Sequence, residues 1–399
     1  MNDFQAVLFC WPEGSLNRVL QHSSLALLPI VNVPLIDFHL SALSNCGISN
    51  VIVVVPPKDY SIVADHLSTF HSLHYLCVHG DPADGSVSVL HKLVSDGSIT
   101  RDILVLSICT VTTLSLHHYL DVFRSKQASC VFLTHRTTKS TPPLEECFTM
   151  LTAADSDNKV VGLLSGEEVH EARKDGNLSV PLGVLSRHPH VFIETDLSLA
   201  QLFIFSFACV SRLLHAEPTG TIWNNLLPKL IMDSLNDSRN YSVFAFVQDK
   251  GLCVHLSTPK SVQDLCYAVM NPKNEFLAGK IQLGPFTNVS NAEKKINIKN
   301  CRFGNNVSLP ADGDFRLDGS VIGDRVVIEK GTVVIRSILV PDSRIGERCS
   351  IKNSLICGVP VGAKSIVENS VICDDCPGGE VVKNLVYPTE ESSFEFTFE

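Results

Sequence analysis

The last quarter of the chain carries a repeat that few folds accommodate. An apolar residue followed by glycine recurs at Phe303-Gly304, Ile322-Gly323, Ile345-Gly346 and Val361-Gly362, at steps of 19, 23 and 16 residues. Three of these open a longer shared pattern: Ile322-Gly-Asp-Arg-Val-Val-Ile328, Ile345-Gly-Glu-Arg-Cys-Ser-Ile351 and Val361-Gly-Ala-Lys-Ser-Ile-Val367. Two continue alike, as Ile351-Lys-Asn-Ser-Leu-Ile356 and Val367-Glu-Asn-Ser-Val-Ile372. An aliphatic residue every sixth position with a small residue four later is the hexapeptide signature of a parallel β-helix. Three hexads make one triangular coil; the aliphatics stack inward and Asn and Gly take the corners. An antiparallel sandwich does not account for the matched units. Four to five coils are expected over 301–386.

The first part of the chain has a different grammar. Gln5–Cys10, Val51–Val55, His74–Val78, Ile103–Ile108 and Cys130–Thr134 are short runs rich in Val, Ile, Leu and Phe. Strands buried on both faces of a parallel sheet read this way. Helical patterns alternate with them at Leu35–Cys46, Tyr60–Phe70, Asp84–Val94 and Leu114–Lys126, so a doubly wound α/β sheet is expected. Residues 136–180 are polar and read as an insertion or long loops. A second α/β portion follows, with a strand at Leu202–Cys209, a helix at Ile222–Leu235, a strand pair around Val243–Leu256 and a closing helix at Ser261–Met270. The expected division is an α/β domain over 1–270, a linker over 271–300, the β-helix over 301–386 and an acidic tail over 387–399.

Composition removes several function classes. Of 399 residues, 45 % are apolar and 19 % charged, with 32 Lys and Arg against 42 Asp and Glu. A net charge of −10 argues against direct binding of nucleic acid or anionic membrane, both of which need clustered positive charge. The low charged fraction points to apolar surface shared with a partner. The longest apolar stretch, Leu197–Val210, contains Ser198, Gln201 and Ser206 and falls short of the roughly 20 residues that span a bilayer. No basic region precedes the first apolar run, so a cytosolic chain with reduced thiols is expected. The Asn-x-Ser sequons at Asn177, Asn236, Asn240, Asn288 and Asn306 then have no secretory context. The single Cys-x-x-Cys, Cys373 to Cys376, lacks the second pair a zinc site needs. No metal and no cofactor are expected.

An α/β domain followed by hexapeptide coils resembles the sugar-phosphate nucleotidyltransferases. In that family the first strand leads into a glycine-rich loop ending in Arg, then a Pro-Lys-Pro segment; backbone amides and cations hold the triphosphate. This chain has Phe9-Cys-Trp-Pro-Glu-Gly-Ser-Leu-Asn-Arg18, which keeps Gly14 and Arg18 and adds Trp11 and Glu13. Ser24-Leu25-Ala26 replaces Pro-Lys-Pro, so the lysine is gone. Cys109 stands where the family has the Asp that holds Mg²⁺, and Thr113 where a second Asp often occurs; a thiol is a poor ligand for that hard cation. Gly80-Asp-Pro-Ala-Asp-Gly85 is a second loop of phosphate-binding type, though such residues equally make turns. The vestigial nucleotide pocket is therefore assigned to Gly14, Arg18, Asp84, Gly85 and Cys109, with no catalytic residue. Hexapeptide acyltransferases need a His base between coils, and all 15 His precede residue 256.

Within this superfamily the chain is similar to the gamma-subunit family of the translation initiation factor 2B complex. The resemblance rests on Asp3-Phe-Gln-Ala-Val7, Asn50-Val-Ile-Val-Val-Val55, Ile103-Leu-Val-Leu-Ser107, Leu120-Asp-Val-Phe-Arg-Ser125, Ser186-Arg-His-Pro-His190, Lys250-Gly-Leu-Cys253 and the repeats from Ile345 to Cys373. It implies a doubly wound nucleotidyltransferase-like sheet followed by a left-handed parallel β-helix. It also implies a noncatalytic part in GDP release from initiation factor 2, alongside the epsilon subunit and the other regulatory subunits. An epsilon subunit would continue into a helical exchange domain after the β-helix. The alternative is an active GDP-mannose-type pyrophosphorylase.

Overall fold

A computed structural model describes residues 3–11, 16, 24–69, 73–136, 147–154, 158–177, 180, 182–188, 190–216, 219–235, 241–270, 287–291 and 296–387. These fall into two compact units, one drawn from 1–11 and 39–255, the other from 12–38 and 256–399.

The first unit is a nine-stranded mixed sheet. Its strands are β1 (Phe4–Phe9), β2 (Asn50–Val55), β3 (His74–His79), β4 (Asp102–Ser107), β5 (Cys130–Arg136), β6 (Cys147–Ala153), β7 (Val160–Ser165), β8 (Val191–Phe205) and β9 (Val243–Gln248). The main path runs β7-β6-β8-β4-β1-β2-β3, with β5 pairing β8 and β9. Strands β3, β2, β1 and β4 run parallel, as the apolar runs predict. Every residue of β1 is buried, because helices α1 (Leu35–Asn45), α2 (Tyr60–Leu67), α3 (Gly85–Ser95) and α4 (Leu116–Lys126) alternate with the parallel strands.

Four expectations are corrected. Residues 136–180 are not an irregular insertion where described: β6 and β7 pair antiparallel, and the charged run forms α5 (Gly166–Asp175). A capping box starts that helix. The Glu168 carboxylate accepts from the Ser165 amide at 2.7 Å, and Glu168 N–H donates back to Ser165 Oγ at 3.2 Å. The strand expected at Leu202–Cys209 begins at Val191 and ends at Phe205. There Ser206 Oγ accepts from Cys209 N–H at 3.3 Å, and α6 (Leu182–Arg187) has its successor α7 at Phe207–Ala216. The apolar run crosses this strand–helix junction without a change of composition, which hides it. The strands near Val243–Leu256 do not pair together: β9 lies parallel to β5, and Cys253–His255 pairs with Thr110–Thr112. Finally, the expected linker contains a strand pair, Thr287–Asn291 with Ile296–Phe303.

The second unit is built on parallel ladders. One stacks Ile296–Phe303, Phe315–Asp318, Thr332–Ile335, Ser350–Lys352, Ile366–Glu368 and Val381–Lys383. A second stacks Ile296–Phe303, Val321–Ile322, Ile338–Leu339, Leu355–Ile356, Val371–Ile372 and Val386–Tyr387. A third joins Val327–Ile328, Arg344–Ile345 and Pro360–Val361. This near-closed parallel arrangement is compatible with a β-helix. Leu317, Val334, Ile351, Val367 and Val382 from the first ladder meet Ile322, Leu339, Ile356 and Ile372 from the second, and Ile328, Ile345 and Val361 from the third, in one buried cluster.

Stacking corrects the repeat register read from sequence. Ile322 pairs with Leu339, whereas Ile345 pairs with Ile328 and Val361, so the 322 and 345 motifs occupy different ladders. The 345 and 361 motifs are true equivalents. Asn353, Asn369 and Asn384 share one left-handed corner, with φ of 47°, 50° and 56°, and their side-chain amides bond in series at 2.9 and 3.1 Å. Inside the corner, the hydroxyls of Ser320, Ser337 and Ser354 accept from the backbone N–H of Ser337, Ser354 and Ser370 in turn. Helices α8 (Leu227–Ser234) and α9 (Pro259–Met270) end the inventory. The α9 helix joins the second unit through Tyr267, whose hydroxyl donates to the Arg336 carbonyl.

Candidate functional site

Strand order reverses at β1: the chain passes from β1 outward through β2 and β3, then returns to β4 on the other side of β1. Open α/β sheets bind ligands outside the carboxyl ends of strands at such a switch point. Here the two strand ends are Phe9-Cys10-Trp11 and Ser107-Ile108-Cys109. Phe9 and Ser107 are register partners, and Ile108 N–H donates to the Phe9 carbonyl at 2.9 Å.

Apolar side chains fill this place. Trp11 packs against Phe9, the rings tilted by 46° with centroids 4.6 Å apart, and joins Val54, Val87 and Val89 in the main core cluster. A Cβ on Gly80 would lie 3.2 Å from the Trp11 ring and closer still to Val54, so glycine there makes room for the indole. Cys10 and Cys109 are wholly buried. The Cys109 thiol donates to the Trp11 carbonyl at 3.6 Å. Burial above all, with Cys77, Cys109 and Asp59 adding to it, pushes the Cys10 thiol well above its ordinary pKa. Beneath, His39 lies 3.1 Å from the Ile108 carbonyl, and burial lowers it to about 4 despite that hydrogen bond. A neutral imidazole donating Nε2–H satisfies the carbonyl.

These residues do not fit the Mg²⁺ that the nucleotidyltransferase resemblance implies. The position of the metal carboxylate holds a buried, soft thiol turned to a backbone carbonyl. Thr113, at the second carboxylate position, is a turn fastener: its N–H donates to the Leu252 carbonyl at 2.8 Å and its Oγ1 accepts from Leu252 N–H at 2.9 Å. Among the described residues no three His, Cys, Asp or Glu side chains converge on a common metal position.

Beyond Gly80, the second loop serves packing. Asp81 caps the turn by accepting from Ala83 N–H at 2.9 Å, and Asp84 is exposed. Gly85 has φ +79°, and a Cβ on it would collide with the Gly220 carbonyl. That carbonyl accepts from Val87 N–H at 3.0 Å, so the first turn of α3 bonds protein backbone where a phosphate would sit. Ser86 Oγ accepts from Ile222 N–H at 3.1 Å on the same side. Gly14 and Arg18 lie outside the described residues. Of the five assigned residues, Cys109 belongs to the strand-end cluster, Gly85 to the contact with 219–222, and Asp84 is exposed, its carbonyl accepting from Ser88 Oγ at 2.6 Å. Gly80 falls in the loop read as phosphate-binding or turn-forming, but its packing against Trp11 and the contact made by Gly220 were not anticipated.

No protein-family model matches the chain. It is similar to the gamma subunit of translation initiation factor 2B. Against the protein described as "Translation initiation factor eIF2B subunit gamma" in Caenorhabditis elegans it is 28 % identical over 150 residues, 36 % of each chain. Against the protein of the same description in Schizosaccharomyces pombe it is 23 % identical over 245 residues, 57 % of this chain and 51 % of the relative. The likeness thus spans about half, or less, of these gamma subunits.

Proposed function

We propose that this chain is a gamma-like, noncatalytic subunit of an initiation factor 2B complex, on a degenerate nucleotidyltransferase fold with a left-handed β-helix, working in the cytosol. The observation that carries the reading is the filled crevice. Where a nucleotidyltransferase would hold its nucleotide and metal, Trp11, Phe9 and Val54 pack together and a thiol replaces the carboxylate. On this reading the two folded units supply surface for assembly, and the similarity to gamma subunits supports initiation factor 2B as that assembly. Its part in exchange is to hold the epsilon subunit and initiation factor 2 in productive proximity, which raises effective concentration without new chemistry.

Differential affinity alone shifts a nucleotide equilibrium, and nothing in the chain resembles an exchange domain. The test is stopped-flow release of fluorescent GDP from initiation factor 2, with this chain, with the epsilon subunit, and with both. Background release with the chain alone and release raised about 5–150-fold over epsilon alone, the usual span of coupling between sites, is the expected result. Equal rates with and without the chain overturn the supporting role. Pyrophosphate release from nucleoside triphosphate and sugar 1-phosphate above a boiled control would overturn the noncatalytic reading.

A further inference from the structure

The sequence draws attention to Cys373-Asp-Asp-Cys376, but the structure pairs Cys373 with a different cysteine. Leu355 and Val371, then Ile356 and Ile372, are register partners on adjacent parallel strands, so the next positions, Cys357 and Cys373, also stack. Backbone bonds continue the register: Cys357 N–H donates to the Ile372 carbonyl and Cys373 N–H to the Tyr387 carbonyl, both at 2.9 Å. Their sulfurs are 3.7 Å apart. Cys376 faces elsewhere. It bridges Val361, and its thiol lies 3.8 Å from the Pro377 carbonyl.

We propose that Cys357 and Cys373 form an oxidation-sensitive pair that closes to a disulfide between neighbouring coils. Equivalent residues on adjacent strands lie about 4.8 Å apart, within the Cα separation of about 4.4–6.8 Å that a disulfide accepts. Their Cβ atoms leave the two parallel strands on the same side, so closure needs side-chain rotation and a small approach. The oxidant is a peroxide. One cysteine, as thiolate, attacks a peroxide oxygen, breaking the O–O bond and giving a sulfenic acid and hydroxide. The hydrogen bond with Cys373 and burial hold the Cys357 thiol well above its ordinary pKa, so this proton loss makes the step slow. The second sulfur then attacks the sulfenic sulfur; the S–O bond breaks and water leaves. In sum, two thiols and one hydrogen peroxide give one disulfide and two waters.

Both thiols are buried, at 8 % and 3 % exposure, so a small oxidant reaches them where a protein oxidant would not. Closure would link two successive coils near the end of the described stack, where only Val381–Lys383 and Val386–Tyr387 lie beyond. The cross-link spans 16 residues, and its gain comes from restricting the unfolded chain.

The full chain is treated with hydrogen peroxide, remaining thiols are alkylated under denaturing conditions, and a nonreducing peptide map is read by mass spectrometry. The expected result is a peptide pair joined through Cys357 and Cys373, losing two hydrogens and restored by dithiothreitol. Cys376→Ala should leave that link intact. Cys357→Ala should abolish it, together with any peroxide-induced rise in the urea midpoint. A link between Cys373 and Cys376, or recovery of Cys357 and Cys373 as unlinked thiols or sulfinic acids, overturns the proposal. The wild-type map decides the matter even where a variant fails to fold.

Discussion

The Cys109 thiol donates to the backbone carbonyl of Trp11, tying together the two strand ends that would flank a ligand. Trp11 also belongs to the main core cluster, with Phe9, Val54 and Val87. The indole is therefore structural here, and its removal is a core truncation.

Trp11→Ala should destabilise the first unit by about 3–5 kcal/mol, the usual cost of emptying a buried aromatic site. Urea unfolding followed by circular dichroism measures it. A change below about 1 kcal/mol would show that the crevice is not packed as described.

His39 gives the first unit a pH dependence of known sign. Its folded pKa of about 4 lies below the ordinary 6.5, so the unfolded state takes up the proton first. The stability is fully present above about pH 6.5 and falls as pH drops toward 4, by up to about 3 kcal/mol. His39→Gln keeps a donor for the Ile108 carbonyl and should flatten the curve between pH 6.5 and 4.5. Parallel curves for the two proteins would contradict this.

Gly85→Ala should cost more than about 2 kcal/mol. It combines a left-handed backbone with a collision against the Gly220 carbonyl. A thermal melt of the variant, compared with Gly97→Ala, separates the two effects. Gly97 has a similar φ of +78° with nothing near its would-be Cβ, so it should lose only the conformational part.

Asn369→Ala breaks two rungs of the amide ladder, to Asn353 and to Asn384, and leaves alanine at φ 50°. A loss of about 2 kcal/mol in the second unit is expected. Asn369→Gly should recover part of it, because glycine accepts the backbone angle. Calorimetry of the full chain reads both.

Tyr267→Phe removes the hydroxyl that donates to the Arg336 carbonyl and accepts from Gln263 Nε2 at 2.9 Å. Gln263 is buried, so its amide would lose a partner at a cost of about 1–3 kcal/mol. Hydrogen exchange along α9 should rise while exchange in β1 stays unchanged.

Local pattern carried the elements whose burial is uniform. The Asn50–Val55 run reads as a parallel strand because both faces of that strand are covered, and the Asn-Ser pairs mark their corner because glycine-like angles recur there. Cys109 could be placed because it directly follows a strand. What stayed hidden depends on distant partners. Nothing near Gly85 announces Gly220, and nothing in Leu202–Val210 says that β8 stops at Phe205, where Asp102 Oδ1 accepts from Phe207 N–H. The repeats reveal an inward aliphatic but not which ladder it joins: paired positions from Leu317 through Val334, Ile351 and Val367 to Val382 recur at 17, 17, 16 and 15 residues, not at the 18 of three hexads.

That ambiguity of face constrains how such a chain can change length. Loss of a whole coil would shorten the stack and leave every downstream side chain on its original face. Loss of one strand and its turn would preserve the inward aliphatics yet move everything beyond it to another ladder. The charged row formed by Lys352, Glu368 and Lys383 would then look out in a new direction from an intact core. Natural length variation in this region should therefore come in full ladder repeats, with any partial one marking a change in what the surface meets.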